Sequence, residues 1–143
     1  MYLADLDRNY EKTFVKQVSK ITNIPISNLD CELGEYVEIS TEGYPHQHIL
    51  SFELEEFPNC CGIGVLQGID IQHKYKNKGL EKVIYDFALK QAKECRYGMV
   101  ILANNVKADN IKALRGSGWT KLKPFTNPKT KNRLVAAYKT IGR

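Results

Sequence analysis

The chain has 143 residues, 43% of them hydrophobic and 26% charged, with a formal net charge of +5; this suits one compact domain with a sizeable core and excludes a disordered chain or a second domain. No apolar run approaches the ~18 residues of a membrane span, and the opening MYLADLDRNY lacks the basic-then-apolar order of a secretory signal, so a cytoplasmic protein without membrane partners is expected. Charge is unevenly spread: residues 1–60 hold four Lys/Arg against eleven Asp/Glu, and residues 107–143 hold ten against one, which suits one surface to cationic partners and another to phosphates.

From Arg8, the segment RNYEKTFVKQVSKI sets Tyr10, Phe14, Val18 and Ile21 at helical spacing among charged residues, and Pro25 closes this amphipathic helix. ISNLD reads as a helical turn or a loop. EYVEIST and HILSFELEE alternate apolar with polar residues, and EGYPHQ joins them as a hairpin. GIGVLQGIDIQ is a third long strand whose Gly62, Gly64 and Gly68 invite a bulge. From Leu80 the period changes, with Leu80, Val83, Ile84, Phe87, Ala88, Ala92 and Cys95 on one helical face. MVILA follows Gly98 as a strand buried on both faces, with Asn104 and Asn105 at its end. A short helix over Lys107 to Arg115 closes at GSGW, a strand runs from Trp119 to Lys123, Pro124 to Asn132 forms a basic turn, and RLVAAYKTI is the last strand. A strand–helix–strand crossover inside an otherwise antiparallel order gives a mixed α/β fold: one domain over residues 1–143, with a mostly antiparallel central sheet and helices on both faces.

The chemistry is expected at the turn after Ile71. A helix that begins just beyond a strand points its first backbone amides out of the strand's C-terminal edge, where they hold anions. Here Lys74, Lys76 and Lys78 add positive charge, and Gly79 lets a ligand approach the backbone. The turn is neither GxxxxGK[ST] nor GxGxxG.

The stretch IDIQHKYKNKGLEKVIYDFALKQAKE resembles the signature segment of the GCN5-related N-acetyltransferase (GNAT) superfamily, in which an apolar-ended strand precedes Gln/Arg-x-x-Gly-x-Gly/Ala and a long amphipathic helix. Lys76 stands at the Gln/Arg position, Gly79 at the first glycine and Glu81 at the last small residue. VILANNVKADNIKALRGSGWTKL is similar to the next strand, asparagine-bearing turn, short helix and terminal Gly-aromatic pair, here Gly118 and Trp119. The resemblance runs from about Gly62 to the C-terminus. It implies acetyl-CoA or another acyl-CoA as cofactor, with its pyrophosphate on the amides of Lys76, Asn77, Lys78, Gly79, Leu80, Glu81 and Lys82. It also implies that the pantetheine arm lies against the backbone of Ile69, Asp70 and Ile71, with Asn105 and Asn110 as polar contacts. The implied activity is N-acyl transfer by direct attack of an amine, and the acidic N-terminal half suggests a cationic acceptor: a protein lysine, an N-terminus or a polyamine.

The chain departs from that pattern twice. Glu81 brings a carboxylate into the first turn of the helix, and the site survives if its side chain turns to solvent or pairs with Lys78 or Lys82. Leu114 stands where many members carry a tyrosine that protonates the leaving thiolate. Both departures motivate a second reading, a catalytically inactive module of the same fold that docks a protein or nucleic-acid partner. Glu53, Glu55, Asp70 and His48 are available as general bases, but none is assigned a catalytic role. His46 and His48 lack a third ligand, so no metal site is read, and Cys60 and Cys61 lack a paired histidine motif. KLKPFTNPKTKNRL sets Phe125 among basic residues and is the stretch suited to nucleic acid.

Overall fold

The computed structural model describes residues 8–43, 45–56, 62–105, 118–121, 125–126, 131 and 133–141. Helix α1 spans Arg8–Thr22 and buries the expected stripe, with Phe14 and Val18 closed off from solvent and Tyr10 and Ile21 packed at its rim. A 3₁₀ turn over Ile26–Asn28 follows Pro25 and leads into Leu29–Glu32 (β1). Of the helical turn or loop read over ISNLD, the turn is present at Ile26–Asn28, but Leu29 and Asp30 belong to a strand that sequence reading does not anticipate, because LDCE is short and has no β-branched or aromatic residue. Tertiary pairing decides the matter: the strand lies antiparallel on Tyr36–Thr41 (β2), from Leu29 opposite Thr41 to Glu32 opposite Glu38.

β2 and His48–Glu56 (β3) form the expected hairpin, and Ile63–Ile71 (β4) pairs antiparallel with β3. Leu80–Glu94 (α2) then crosses over to Met99–Asn105 (β5), which is parallel to β4. Arg133–Thr140 (β8) pairs antiparallel with β5 along its whole length, and carries the short Thr120–Lys121 (β6) and Phe125–Thr126 (β7). The result is one mixed eight-stranded sheet in the order β1-β2-β3-β4-β5-β8-β6, with β7 also on β8. The helix expected over residues 107–115 and most of the basic turn lie outside the described residues.

α1 and α2 cover one face of the sheet together. Phe14 stacks on Phe87 at 4.1 Å between centroids, and both rings meet Phe52 of β3 edge-on at 6.2 and 6.1 Å. Offset and edge-to-face contacts are the favourable aromatic geometries, and this trio fixes both helices over the centre of β3. The alternation of β3 then decides its faces: Leu50, Phe52 and Leu54 go inward, while Ser51, Glu53 and Glu55 point to the side without α1 and α2.

Candidate active site at the parting of two strands

β4 and β5 are neighbours only in part. Their pairing runs from Ile63 opposite Met99 to Leu66 opposite Leu102 and stops there, although β4 continues to Ile71 and β5 to Asn105. Beyond that point each strand stays with its other neighbour: β4 keeps β3, through Glu53–Gln67, Ser51–Asp70 and Leu50–Ile71, and β5 keeps β8. The sheet therefore opens between Gln67–Ile71 and the end of β5. A cause is visible at Gly68, whose φ of +63° coincides with a register shift against β3 between Ser51 and Glu53. Of the three glycines read as bulge formers, Gly68 makes the bulge, and bulges bend and twist the strand that carries them.

The turn that closes this opening is held from inside by Tyr75, buried at the end of a 3₁₀ turn over His73–Tyr75, with the Lys74 ammonium 5.5 Å from its ring centre. Tyr75 is not singled out by periodicity or motif, and its one signal in the sequence is that it is a lone aromatic in a basic run. Lys76 is extended, Asn77 has φ +63°, and Gly79 has φ +93° as the N-cap of α2. Gly79 offers no side chain to cap the helix. The first bond near the helix start runs from the Val83 amide to the Gly79 carbonyl at 3.4 Å, so the amides of Leu80 and Lys82 have no acceptor within the helix. A Cβ placed on Gly79 would meet no described residue within 4 Å, so among the described residues the mouth of the helix is open space. Asn77, Lys78 and Gly79 are exposed and Lys76 half-buried, an electropositive rim that fits a diphosphate.

Glu81 does not turn to solvent, and of the two lysines expected to pair with it, Lys78 and Lys82, the second is engaged elsewhere. Only 6% of the residue is exposed, and Lys82 is engaged one turn on with Asp86 at 2.7 Å. In the first turn of a helix a side chain leans back over the N-terminal turn, and Glu81 follows that direction into the protein. Ile69 is half-buried, Asp70 exposed and Ile71 buried along the opened edge of β4. Asn105 ends β5 on the far side of the opening; Asn110 and Leu114 lie outside the described residues.

Of the possible bases, Glu53 is half-buried beside the bulge, where Gln67 Nε2 donates to its Oε2 at 3.4 Å. Asp70 is exposed on the same sheet face, Glu55 lies toward the far end of β3, and His48 Nε2 is 3.0 Å from Ser51 Oγ. No helix among the described residues is long and apolar enough to cross a membrane.

No family model and no curated protein matches the sequence. Solved structures do match in shape. Ard1 from Thermoplasma volcanium aligns with a TM-score of 0.61 at 9% identity, over 76% of this chain and 72% of its own. An acetyltransferase of Salmonella typhimurium, YncA with its cofactor acetyl-CoA, aligns with a TM-score of 0.57 at 10% identity, over 96% and 76%. The NatC complex bound to Gag peptide and CoA aligns with a TM-score of 0.59 at 13% identity, over 97% and 85%. The fold is that of the GNAT superfamily. On this fold the parting of β4 from β5, the basic turn and the start of α2 follow one another along the chain, from Leu66 to Lys82.

Proposed function

We propose that the chain is an acyl-CoA-dependent N-acyltransferase, with acetyl-CoA as donor, which passes the acyl group directly to an amine. One observation carries this reading: β4 and β5 part after Leu66 and Leu102, and they lead to a helix mouth where no described residue lies within 4 Å of a Cβ placed on Gly79. When bound, the cofactor supplies an acyl group activated as a thioester. The amides from Lys76 to Lys82 hold the pyrophosphate, and the ammonium groups of Lys74, Lys76 and Lys78 add attraction. The opened edge of β4 from Ile69 to Ile71 aligns the arm by main-chain pairing, and Asn105 and Asn110 supply polar contacts. Catalysis then comes from holding two reactants in line and excluding water, rather than from covalent participation of a side chain. The acceptor is a cationic amine, matching the acidic N-terminal half. Fold neighbours that are acetyltransferases, two of them holding acetyl-CoA or CoA, support the cofactor class.

Thermal unfolding with acetyl-CoA tests the reading. At a hundredfold excess over Kd, one bound ligand stabilises by about 2.7 kcal/mol, which for a chain of this size raises Tm by roughly 5 to 10 °C. No shift at millimolar acetyl-CoA, together with no release of CoA thiol across a panel of amines, rejects it. The buried carboxylate of Glu81 favours one competing reading, a GNAT-fold module without the chemistry. Glu81→Gly separates the two: a cofactor response seen only in that variant assigns the natural chain to the inactive module.

A further inference from the structure

Between Lys20 and Lys74 the chain contains no lysine or arginine, but nine carboxylates. The sheet register gathers several of them. Glu32 of β1 lies opposite Glu38 of β2, Glu38 opposite Ser51 of β3, and Ser51 opposite Asp70 of β4. Opposed residues share a face, so Glu32, Glu38, Ser51 and Asp70 form one straight row across four strands, on the side away from α1 and α2. At about 4.8 Å between strands, the row is about 14 Å long. Its Asp70 end lies on the opened edge of β4. Glu53 lies beside the row, opposite both Tyr36 and Gln67.

Two features distinguish this row from an ordinary solvated face. Like charges directly opposite each other on a sheet are destabilising, yet Glu32 and Glu38 are in register, and no ion pair involves either of them, Glu53 or Asp70 among the described residues. Tyr36 stands among these carboxylates 47% exposed, its hydroxyl donating to Glu38 Oε2 at 2.8 Å. A tethered, exposed aromatic ring surrounded by carboxylates is a platform for the aliphatic stem and cationic head of lysine or arginine.

We infer that this sheet face is a docking strip for an extended, lysine- or arginine-rich peptide segment, laid across β1 to β4 and leading to the opening between β4 and β5. Charge complementarity selects the partner, and the two-dimensional spread of charge over four strands favours a peptide over a short polyamine. That the docked peptide is also the acyl acceptor rests on the acyltransferase reading; the docking does not. The protein is net positive at pH 7, so it repels a polycation overall, and any binding must be local to this face.

Fluorescence anisotropy of labelled hexalysine, at low ionic strength and without acyl-CoA, tests the inference. Saturable binding that weakens steeply with salt is expected. Glu38→Gln with Asp70→Asn should weaken it about tenfold, the worth of two surface ion pairs. Asp86→Asn with Glu94→Gln, the same charge change on α2, should leave it unchanged, with thermal melting confirming that both variants are folded. No binding, equal losses in both variants, or complete displacement of the peptide by spermidine at equal charge concentration overturns the proposal. Peptide binding without an acetyl-CoA melting shift removes the acyltransferase reading alone, and a shift without peptide binding removes the docking strip alone.

Discussion

Gly79 is the residue on which the proposed cofactor site depends most directly. Its φ of +93° is ordinary for glycine and costs an L-residue about 1 to 2 kcal/mol. Gly79→Ala should therefore lower Tm by several degrees, and its methyl, projecting into the open helix mouth, should also reduce the melting shift with acetyl-CoA. A second residue works against stability. Gln91 of α2 is wholly buried, and neither its amide oxygen nor its nitrogen has a hydrogen-bond partner. Orphaned buried polar groups cost about 1 to 3 kcal/mol, so Gln91→Met, similar in volume and without the amide, should raise the urea midpoint by an amount worth about 1 kcal/mol. A lower midpoint would mean that the amide is satisfied in solution. At Cys31, burial and then the carboxylates of Glu11, Asp30 and Glu32 push the thiol from 9.0 up to about 12. Its contribution to stability is complete below pH 9 and is lost as pH rises toward 12, because the folded state retains the proton that the unfolded state gives up. Cys31→Ala should flatten that part of the alkaline decline, and native Cys31 should resist iodoacetamide at pH 8.5, because the thiolate is the reactive form.

Within β4, two glycines that look alike in sequence have different structural reasons. Gly68 supplies the bulge, whereas Gly64 is needed for space: a Cβ there would lie 2.7 and 2.9 Å from Tyr97 ring carbons and 3.2 Å from Leu54 Cδ1. Gly64→Ala forces the Tyr97 ring to move, an overpacking that costs about 1 to 3 kcal/mol. It should lower the denaturant midpoint with an unchanged m value, and Tyr97→Leu in the same chain should recover part of the loss. Tyr97 itself is held at a phenol pKa of about 12, mainly by burial, which agrees with a ring packed against the strand rather than one free to swing away. The element most easily missed is β1. Nothing in LDCE predicts a strand, and it exists because β2 offers an unpaired edge.

Over the whole molecule, charge is sorted by place rather than balanced. Glu32, Glu38, Glu53 and Asp70 share the sheet face away from α1 and α2, and Lys74, Lys76 and Lys78 rim the helix mouth. A pI of about 9.0 describes neither surface. At pH 7.5 and low ionic strength the protein should bind to a cation exchanger, as its net charge requires, and also be retarded on a polycationic surface such as polylysine-coated beads. Loss of that second retention in the Glu38→Gln, Asp70→Asn variant, with the first unchanged, checks that the acidic face acts as a unit.

Periodicity and turn chemistry are local properties of neighbouring residues, so the amphipathic stripe of α1, the hairpin, the buried run of β5, the crossover through α2 and the glycine-bearing basic turn are legible in the chain. Other features exist only once the elements are assembled. The parting of β4 from β5 and the alignment of Glu32, Glu38, Ser51 and Asp70 are matters of register, while the inward course of Glu81 and the burial of Tyr75 depend on what packs around them. Register depends on which strand lies beside which, and no stretch of the chain contains that information on its own.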